Sequence, residues 1–416
     1  VRCVIVTCVF PPEPVVSAKT SNDIAHELVA CHHNAKVIAP WPNRPAGKLY
    51  PGFSRRLFLA QPPPDSFEIV RCFSFLSPQS SVLGRLAENL SFGLTSAWQL
   101  FVSDKPNVVY VNTWPIVAAG LICLVARLRR IPTVISVQDV YPESLFSQNR
   151  FLLQSHLAGL LRWMDRAIAR SSQDVIVISE RFAQIYRDDR QVPAQNVHVV
   201  PNWVDEQQVV PDEGRAQLRA EVGVGEGEFL LVYGGNIGAA AGVEGVIEAM
   251  GCLPAASRPH FLIAGSGASL AACRSLASAV APGAISFYTP WPAEKTSPVY
   301  AAADLLVLPT QGAQSLVSVP SKLIGYMLSA RPIIAQAMSG SDLAGVIGEA
   351  GCGWVVEPNQ PERLADAINS AMRLSPAALR ERGQAGRVYA LRHFTRTVCL
   401  PQVIAILEEA ARSDGR

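Results

Sequence analysis

No apolar run in this chain is long enough to span a bilayer. The longest, Ile116 to Ala126, stops at Arg127 and reads as a buried helix. Nor does the chain open on a charged segment followed by an apolar one with a cleavage site. Val1-Arg2-Cys3-Val4-Ile5-Val6 reads as a strand, not as a secretory leader. The nine cysteines are scattered, odd in number and never spaced C-x-x-C. That pattern argues for reduced thiols in the cytosol and against a disulfide framework or a structural zinc site. The seven histidines form no metal-spaced set, and His32-His33 reads as a helix end, so no metal ligands are expected. Basic residues are not interleaved with aromatics, which argues against nucleic acid as a partner.

A chain of 416 residues is too long for one ordinary core and points to two domains. Strand-like apolar runs alternate with helical patterns from end to end, as parallel α/β sheets require. In the first half Cys3–Val9, Lys36–Ala39, Phe67–Arg71, Val108–Asn112, Thr133–Val137 and Asp174–Ile178 read as strands. Thr20–Cys31, Leu83–Val102, Ile116–Arg129 and Ser155–Arg170 read as helices, and Trp41–Pro64 as a long loop. Asp205–Gly227 reads as a hinge with a short helix. Strands then follow at Phe229–Tyr233, Phe261–Ala264, Ala284–Tyr288, Leu305–Leu308, Ile333–Ala335 and Gly353–Val356. The expected organisation is α/β, with two Rossmann-like, doubly wound domains facing a central cleft. Residues 1–205 form the first and 206–398 the second, with a last helix in 399–416 returning to the first. Charge is uneven: 20 Lys and Arg stand against 15 Asp and Glu through Asp205, then 16 against 19. A basic first half hints at an anionic surface such as inner-leaflet lipid, although solvated helix faces explain most of its arginines.

Two features carry chemistry. Strand Phe229–Tyr233 runs into Gly234-Gly235-Asn236-Ile237-Gly238, and strand Phe261–Ala264 into Gly265-Ser266-Gly267. Glycines at strand-to-helix turns let the backbone approach a phosphate. Val319-Pro320-Ser321-Lys322 then opens a helix at Leu323–Leu328. A lysine is unfavourable at that dipole end unless an anion lies beside it. Together these suit a nucleoside diphosphate, although Lys322 also reads as an ordinary surface residue. A dinucleotide fingerprint should instead follow the first strand, and that strand leads into Phe10-Pro11-Pro12-Glu13-Pro14. The prolines make this loop rigid, and Ser17 or Thr20 can cap the helix after it.

Seven motifs occur in the order of a known family. They are Phe10-Pro11-Pro12-Glu13-Pro14 with Ser17-Ala18, Val137-Gln138-Asp139-Val140-Tyr141-Pro142-Glu143, Val177-Ile178-Ser179-Glu180, Val200-Pro201-Asn202-Trp203-Val204-Asp205, Tyr233-Gly234-Gly235-Asn236-Ile237-Gly238, Ala303-Asp304 and Val319-Pro320-Ser321-Lys322. The chain resembles glycosyltransferase family 4, in its bacterial surface-polysaccharide, colanic-acid-type branch. The resemblance implies a GT-B fold and retaining, metal-independent transfer from a UDP- or GDP-linked sugar, with no cofactor. It implies a lipid-linked saccharide acceptor and a cytoplasmic enzyme peripheral on the inner membrane. By position, Gly235, Asn236, Gly238, Ser321 and Lys322 would hold the donor diphosphate, and Gly265 and Gly267 would lie near the nucleotide. Ser17 and Gln138 would lie on the acceptor side, with Asp139, Glu143 and Glu13 as catalytic carboxylates. Asp139 and Glu143 equally suit a turn cap and an acid at a helix start.

Where relatives carry a ribose-holding Glu this chain has Gly325, and Ala239 and Ala241 stand at two frequently basic positions. These differences keep open a catalytically degenerate partner subunit on the same fold. A sugar-nucleotide epimerase ranks below it, for want of acids and a histidine.

Overall fold

The computed structural model describes residues 1–44, 47–61, 67–76, 82–113, 115–143, 156–225, 227–238, 241–311 and 322–413. The chain forms two compact units, Val1–Asn202 with Thr397–Arg416, and Trp203–Arg396.

The first unit holds β1 (Arg2–Val6), β2 (Asn34–Pro40), β3 (Phe58–Gln61), β4 (Glu68–Cys72), β5 (Val108–Asn112), β6 (Thr133–Val137), β7 (Asp174–Val177) and β8 (Val197–Val199). Their order is β3-β4-β2-β1-β5-β6-β7-β8, parallel except where β3 meets β4. β5 and β6 are buried along their whole length, which is why they read as continuous apolar runs. The order runs outward both ways from β1. Right-handed crossovers therefore put the helices of the two directions on opposite faces. Helices Val82–Val102, Ile116–Leu128 and His156–Ser171 lie side by side on one face. A Cβ at Gly93 would come within 2.9 Å of Ala118 Cα, and one at Gly120 within 3.5 Å of Ile168 Cδ1. The last helix, Arg396–Ser413, buries Cys399, Leu400, Val403 and Leu407. Its Glu408 meets His33 Nε2 at 2.8 Å.

Two local expectations fail here. β3 lies inside the stretch read as a loop. The first helix starts at Val16, four residues early, and its N-cap Val15 supplies no side-chain bond. Thr20 Oγ1 instead donates to Ser17 O at 3.2 Å inside the helix, so neither residue caps it.

The second unit holds β9 (Leu230–Gly234), β10 (His260–Ala264), β11 (Ile285–Tyr288), β12 (Leu305–Leu308), β13 (Ile333–Gln336) and β14 (Gly353–Val356). All pair in parallel, in the order β11-β10-β9-β12-β13-β14. Strand alternation splits the core: Leu230 and Val232 face one side of the sheet, Leu231 and Tyr233 the other. Asp304 ties this unit together. It accepts from Leu230 N at 2.8 Å, Arg219 Nη1 at 3.1 Å and Arg215 Nη2 at 2.5 Å. The direction of winding reverses between β9 and β12, and the crevice at the carboxyl ends of those strands is where doubly wound sheets take ligands.

Candidate functional site

In the second unit the two glycine turns meet at that switch point and lock together. Gly235 N donates to Ala264 O at 2.9 Å, and Ile237 N to Ser266 O at 2.9 Å. Gly265 has φ +145°, and a Cβ there would fall 1.8 Å from Gly235 O. A Cβ on Gly267 would lie 2.2 Å from Ile237 O. Backbone touches backbone, so only glycine fits either position.

Lys322 reaches this turn from the helix Lys322–Leu328. Its stem crosses Gly235, where a Cβ would sit 1.9 Å from Lys322 Cε. Its ammonium donates to Tyr233 Oη at 3.0 Å and stands 5.1 Å from the centre of that ring. Tyr233 Oη in turn donates to Asn236 O at 2.6 Å. Lys322 makes no ion pair among the described residues, and burial holds its ammonium below the ordinary lysine range. A partly buried cation without an acid, beside tightly turned backbone, is suited to a phosphate. Gly235, Asn236, Gly238, Gly265, Gly267 and Lys322 are therefore brought together. Ser321, Pro320 and Ala239 lie outside the described residues.

The aromatic support of this turn was not legible in the sequence. Tyr326 Oη accepts from Gly234 N at 2.9 Å and donates to Gly234 O at 3.2 Å. Tyr300 packs edge-on against Tyr326, with ring centres 4.9 Å apart. It is wedged between two glycines: a Cβ at Gly234 would lie 2.6 Å from its ring and one at Gly325 3.1 Å. Gly325 is thus the seat of Tyr300, and a Glu there would have to displace that ring. Aromatics in a strand or helix read as ordinary core, so only the glycines signalled this arrangement.

In the first unit the carboxylates separate by role. Glu13 is buried and spent on backbone: Oε2 accepts from Phe10 N at 3.1 Å, and Oε1 from Asn43 N at 2.9 Å and Arg44 N at 2.8 Å. It staples the loop after β1 to the loop after β2. Glu143 is likewise committed, to Arg190 Nη2 at 2.8 Å and Arg162 Nε at 3.3 Å. Glu143 itself is helical, as its reading as an acid at a helix start expects, and these ion pairs tie it to Arg190 and Arg162. Gln138 Nε2 donates to Ser136 Oγ at 3.2 Å, and Ser17 is half-buried on the first helix. Asp139 differs. It follows β6, has no partner among the described residues, and burial pushes its carboxyl up to about 6. A carboxyl in that range can exchange a proton near neutral pH.

That shift predicts a pH-dependent stability. An acid raised in the folded state costs nothing below its unfolded value near 3.9; the cost grows from about pH 4 to 6 and is complete above it. Asp139→Asn is expected to raise stability by about 1–3 kcal/mol at pH 7 and to change nothing at pH 3.5. Urea unfolding at the two pH values checks this, and an equal gain at both would sink it.

Among the described residues no group of three or more His, Cys, Asp or Glu is placed to hold a metal ion. No described helix is long and apolar enough to cross a membrane.

Comparison with known proteins gives consistent matches over both units. The Glycosyl transferase 4-like domain matches residues 17–203, and Glycosyl transferases group 1 matches residues 228–373. The chain is 25% identical to the probable glycosyltransferase WbjE of Pseudomonas aeruginosa, over 74% of this chain and 77% of that protein. It is 25% identical to the putative colanic acid biosynthesis glycosyl transferase WcaI of Escherichia coli (strain K12), over 88% and 90%. The structure of Anabaena Alr3699/HepE in complex with UDP superposes with a TM-score of 0.71 at 14% identity, covering 98% of this chain and 100% of that one. The paired domain matches, the two parallel sheets and the glycine turns at the second sheet's switch point agree: the chain is a glycosyltransferase of family 4 with the GT-B fold.

Proposed function

We propose that this glycosyltransferase moves a sugar from a UDP- or GDP-linked donor to a lipid-linked oligosaccharide, with retention, in surface-polysaccharide synthesis on the cytoplasmic side of a membrane. The observation that carries the reading is Lys322, a partly buried cation laid across Gly235 with no acid beside it among the described residues. Alr3699/HepE has been seen with UDP and with UDP-glucose, and WcaI is named for colanic acid biosynthesis. Both support the donor class and the product class.

The chemistry follows from charge. As the bond between the anomeric carbon and the diphosphate oxygen breaks, negative charge grows on the diphosphate. Lys322 stabilises that charge more than it does the intact donor, which lowers the barrier without a metal ion. The acceptor oxygen forms its bond on the face the diphosphate leaves, and its proton passes to the departing phosphate oxygen. In this reading Asp139 orients the acceptor hydroxyl, while Glu13 and Glu143 hold the loops.

Calorimetric titration with UDP, GDP, ADP and NAD tests the donor side. Lys322→Ala is expected to weaken UDP or GDP binding by about 1.5–3 kcal/mol, the range for a hydrogen bond to a charged group. Unchanged affinity would move the site elsewhere. A second reading, a partner subunit without turnover, is favoured by Tyr300 occupying the space beside Gly325. Nucleotide binding with no release of nucleoside diphosphate in the presence of acceptor would support it.

A further inference from the structure

Tyr233 joins the glycine turn to the lysine. Its ring is fully buried on the face of β9 that packs with Ile237, Val243 and Phe261. Packing of that kind asks only for a ring, and phenylalanine would supply one with no polar atom to bury. The hydroxyl is therefore explained by its partners. Oη accepts from Lys322 Nζ at 3.0 Å and donates to Asn236 O at 2.6 Å.

A phenol has one proton, and an ammonium can only donate. With Lys322 donating to Oη, the phenol's own proton goes to the Asn236 carbonyl, so each bond fixes the direction of the other. Burial, and after it the neighbouring Tyr300, Cys273 and Glu244, push the Tyr233 phenol upward, and it keeps that proton at neutral and moderately alkaline pH. The hydroxyl also answers the negative end of the Asn236 peptide inside the turn. Lys322 has no other hydrogen-bond partner among the described residues, which leaves two of its three N–H donors unused. Its ammonium is held at one point by Oη and attracted at another by the ring, 5.1 Å from the centre.

We propose that Tyr233 is a positioning residue for the donor diphosphate, whose hydroxyl holds the Lys322 ammonium at the glycine turn with two N–H groups ready for phosphate oxygens. The proposal rests on the reading of Lys322 as the phosphate's partner, and Tyr233 itself touches no phosphate in it. The gain is one of preorganisation. A lysine stem has several free torsions, and ordering it costs entropy. Where the hydroxyl orders it, that cost falls on folding. Without the hydroxyl it falls on nucleotide binding, and affinity drops.

The test is calorimetric titration of UDP and GDP into the full chain as wild type, Tyr233→Phe, Lys322→Ala and the double variant, from neutral to alkaline pH. Tyr233→Phe is expected to weaken nucleotide binding about three- to tenfold, the range of one net hydrogen bond. In the Lys322→Ala background the same change should cost less than about twofold. Losing an acceptor also moves the Lys322 ammonium further below the ordinary lysine range, where burial already holds it. Affinity in Tyr233→Phe should therefore begin to fall at a lower alkaline pH than in the wild type. Lys322 is the group that loses its proton first there, because burial pushes Tyr233, Tyr300 and Cys273 upward. A purely structural tyrosine would lower stability to urea in Tyr233→Phe and leave affinity and its pH profile unmoved, and that result would overturn the proposal. Equal weakening with and without Lys322 would also overturn it, because the hydroxyl would then act through Asn236 alone. If Lys322→Ala weakens binding and Tyr233→Phe does not, only this role falls and the donor reading stands. If Lys322→Ala changes nothing, the donor reading fails and this role falls with it.

Discussion

Arg190→Met is expected to lower the stability of the first unit by about 3–5 kcal/mol at neutral pH, the usual cost of removing one partner from a buried ion pair. Arg190 is fully buried and answers three acceptors. It donates to Asp165 Oδ2 at 2.7 Å, Glu143 Oε2 at 2.8 Å and Tyr141 O at 2.5 Å. Without it Glu143 keeps Arg162, but among the described residues Asp165 retains only the Tyr186 hydroxyl at 2.8 Å. Burial already pushes the Asp165 carboxyl upward, and Arg190 opposes that shift. In the variant the folded-state carboxyl rises further. A raised acid is costly above its unfolded value, near 3.9, and free below it, so the loss should shrink as pH falls toward 4. Adding Asp165→Asn to Arg190→Met should recover about 1–3 kcal/mol, because the buried charge is gone while Tyr186 keeps its acceptor. Urea unfolding at pH 7 and pH 4 reads all of this. A loss of equal size at both pH values would mean that the side chain's bulk matters and its charge does not. The segment from Gln138 to Glu143 hangs on Arg190, so partial loosening should also lower transfer while sparing nucleotide binding in the second unit.

This network shows where reading the sequence stops. The apolar runs of β1, β5, β6, β9 and β12 declare themselves because a parallel strand covered on both faces can carry little else. β3 does not, because Phe58–Gln61 is a half-exposed antiparallel edge within a stretch rich in Pro, Gly and Arg. The glycine turns are legible because their backbone contacts admit no other residue. Arg190 and Glu143 are 47 residues apart in the chain, and nothing local marks them as partners. Glu13, Asp139 and Glu143 looked alike as carboxylates in loops after strands. What separates them is the three N–H groups around Glu13, two of them from the loop after β2, the two arginines on Glu143, and the burial of Asp139 with no partner among the described residues. Gly325 read as a lost acid, and the ring that fills its place lies 25 residues earlier, at Tyr300.

The donor turn yields the other large effect, through a contrast between two glycines that both have positive φ. Gly265→Ala is expected to destabilise the second unit by about 2–5 kcal/mol, combining backbone strain with an overlap that cannot relax. Its new methyl would lie 1.8 Å from Gly235 O and 2.9 Å from Gly235 C, and neither atom can move unless the two turns part. Gly235→Ala meets something softer, the Lys322 stem at 1.9 Å. That side chain can swing away, which leaves mainly the strain of φ +154°, about 1–3 kcal/mol. Swinging away also removes the ammonium from the turn. Gly235→Ala should therefore spare most of the fold yet lower UDP affinity about as much as Lys322→Ala does, and combining the two should add little. Gly340→Ala is the control for strain, because Gly340 has φ +78° and nothing lies within 4 Å of its Cβ position. Chemical unfolding and calorimetry on the four single variants and the Gly235→Ala/Lys322→Ala double separate the effects. Full additivity of Gly235→Ala and Lys322→Ala in nucleotide affinity would show that the glycine acts on the phosphate through its own backbone and not through the lysine it seats.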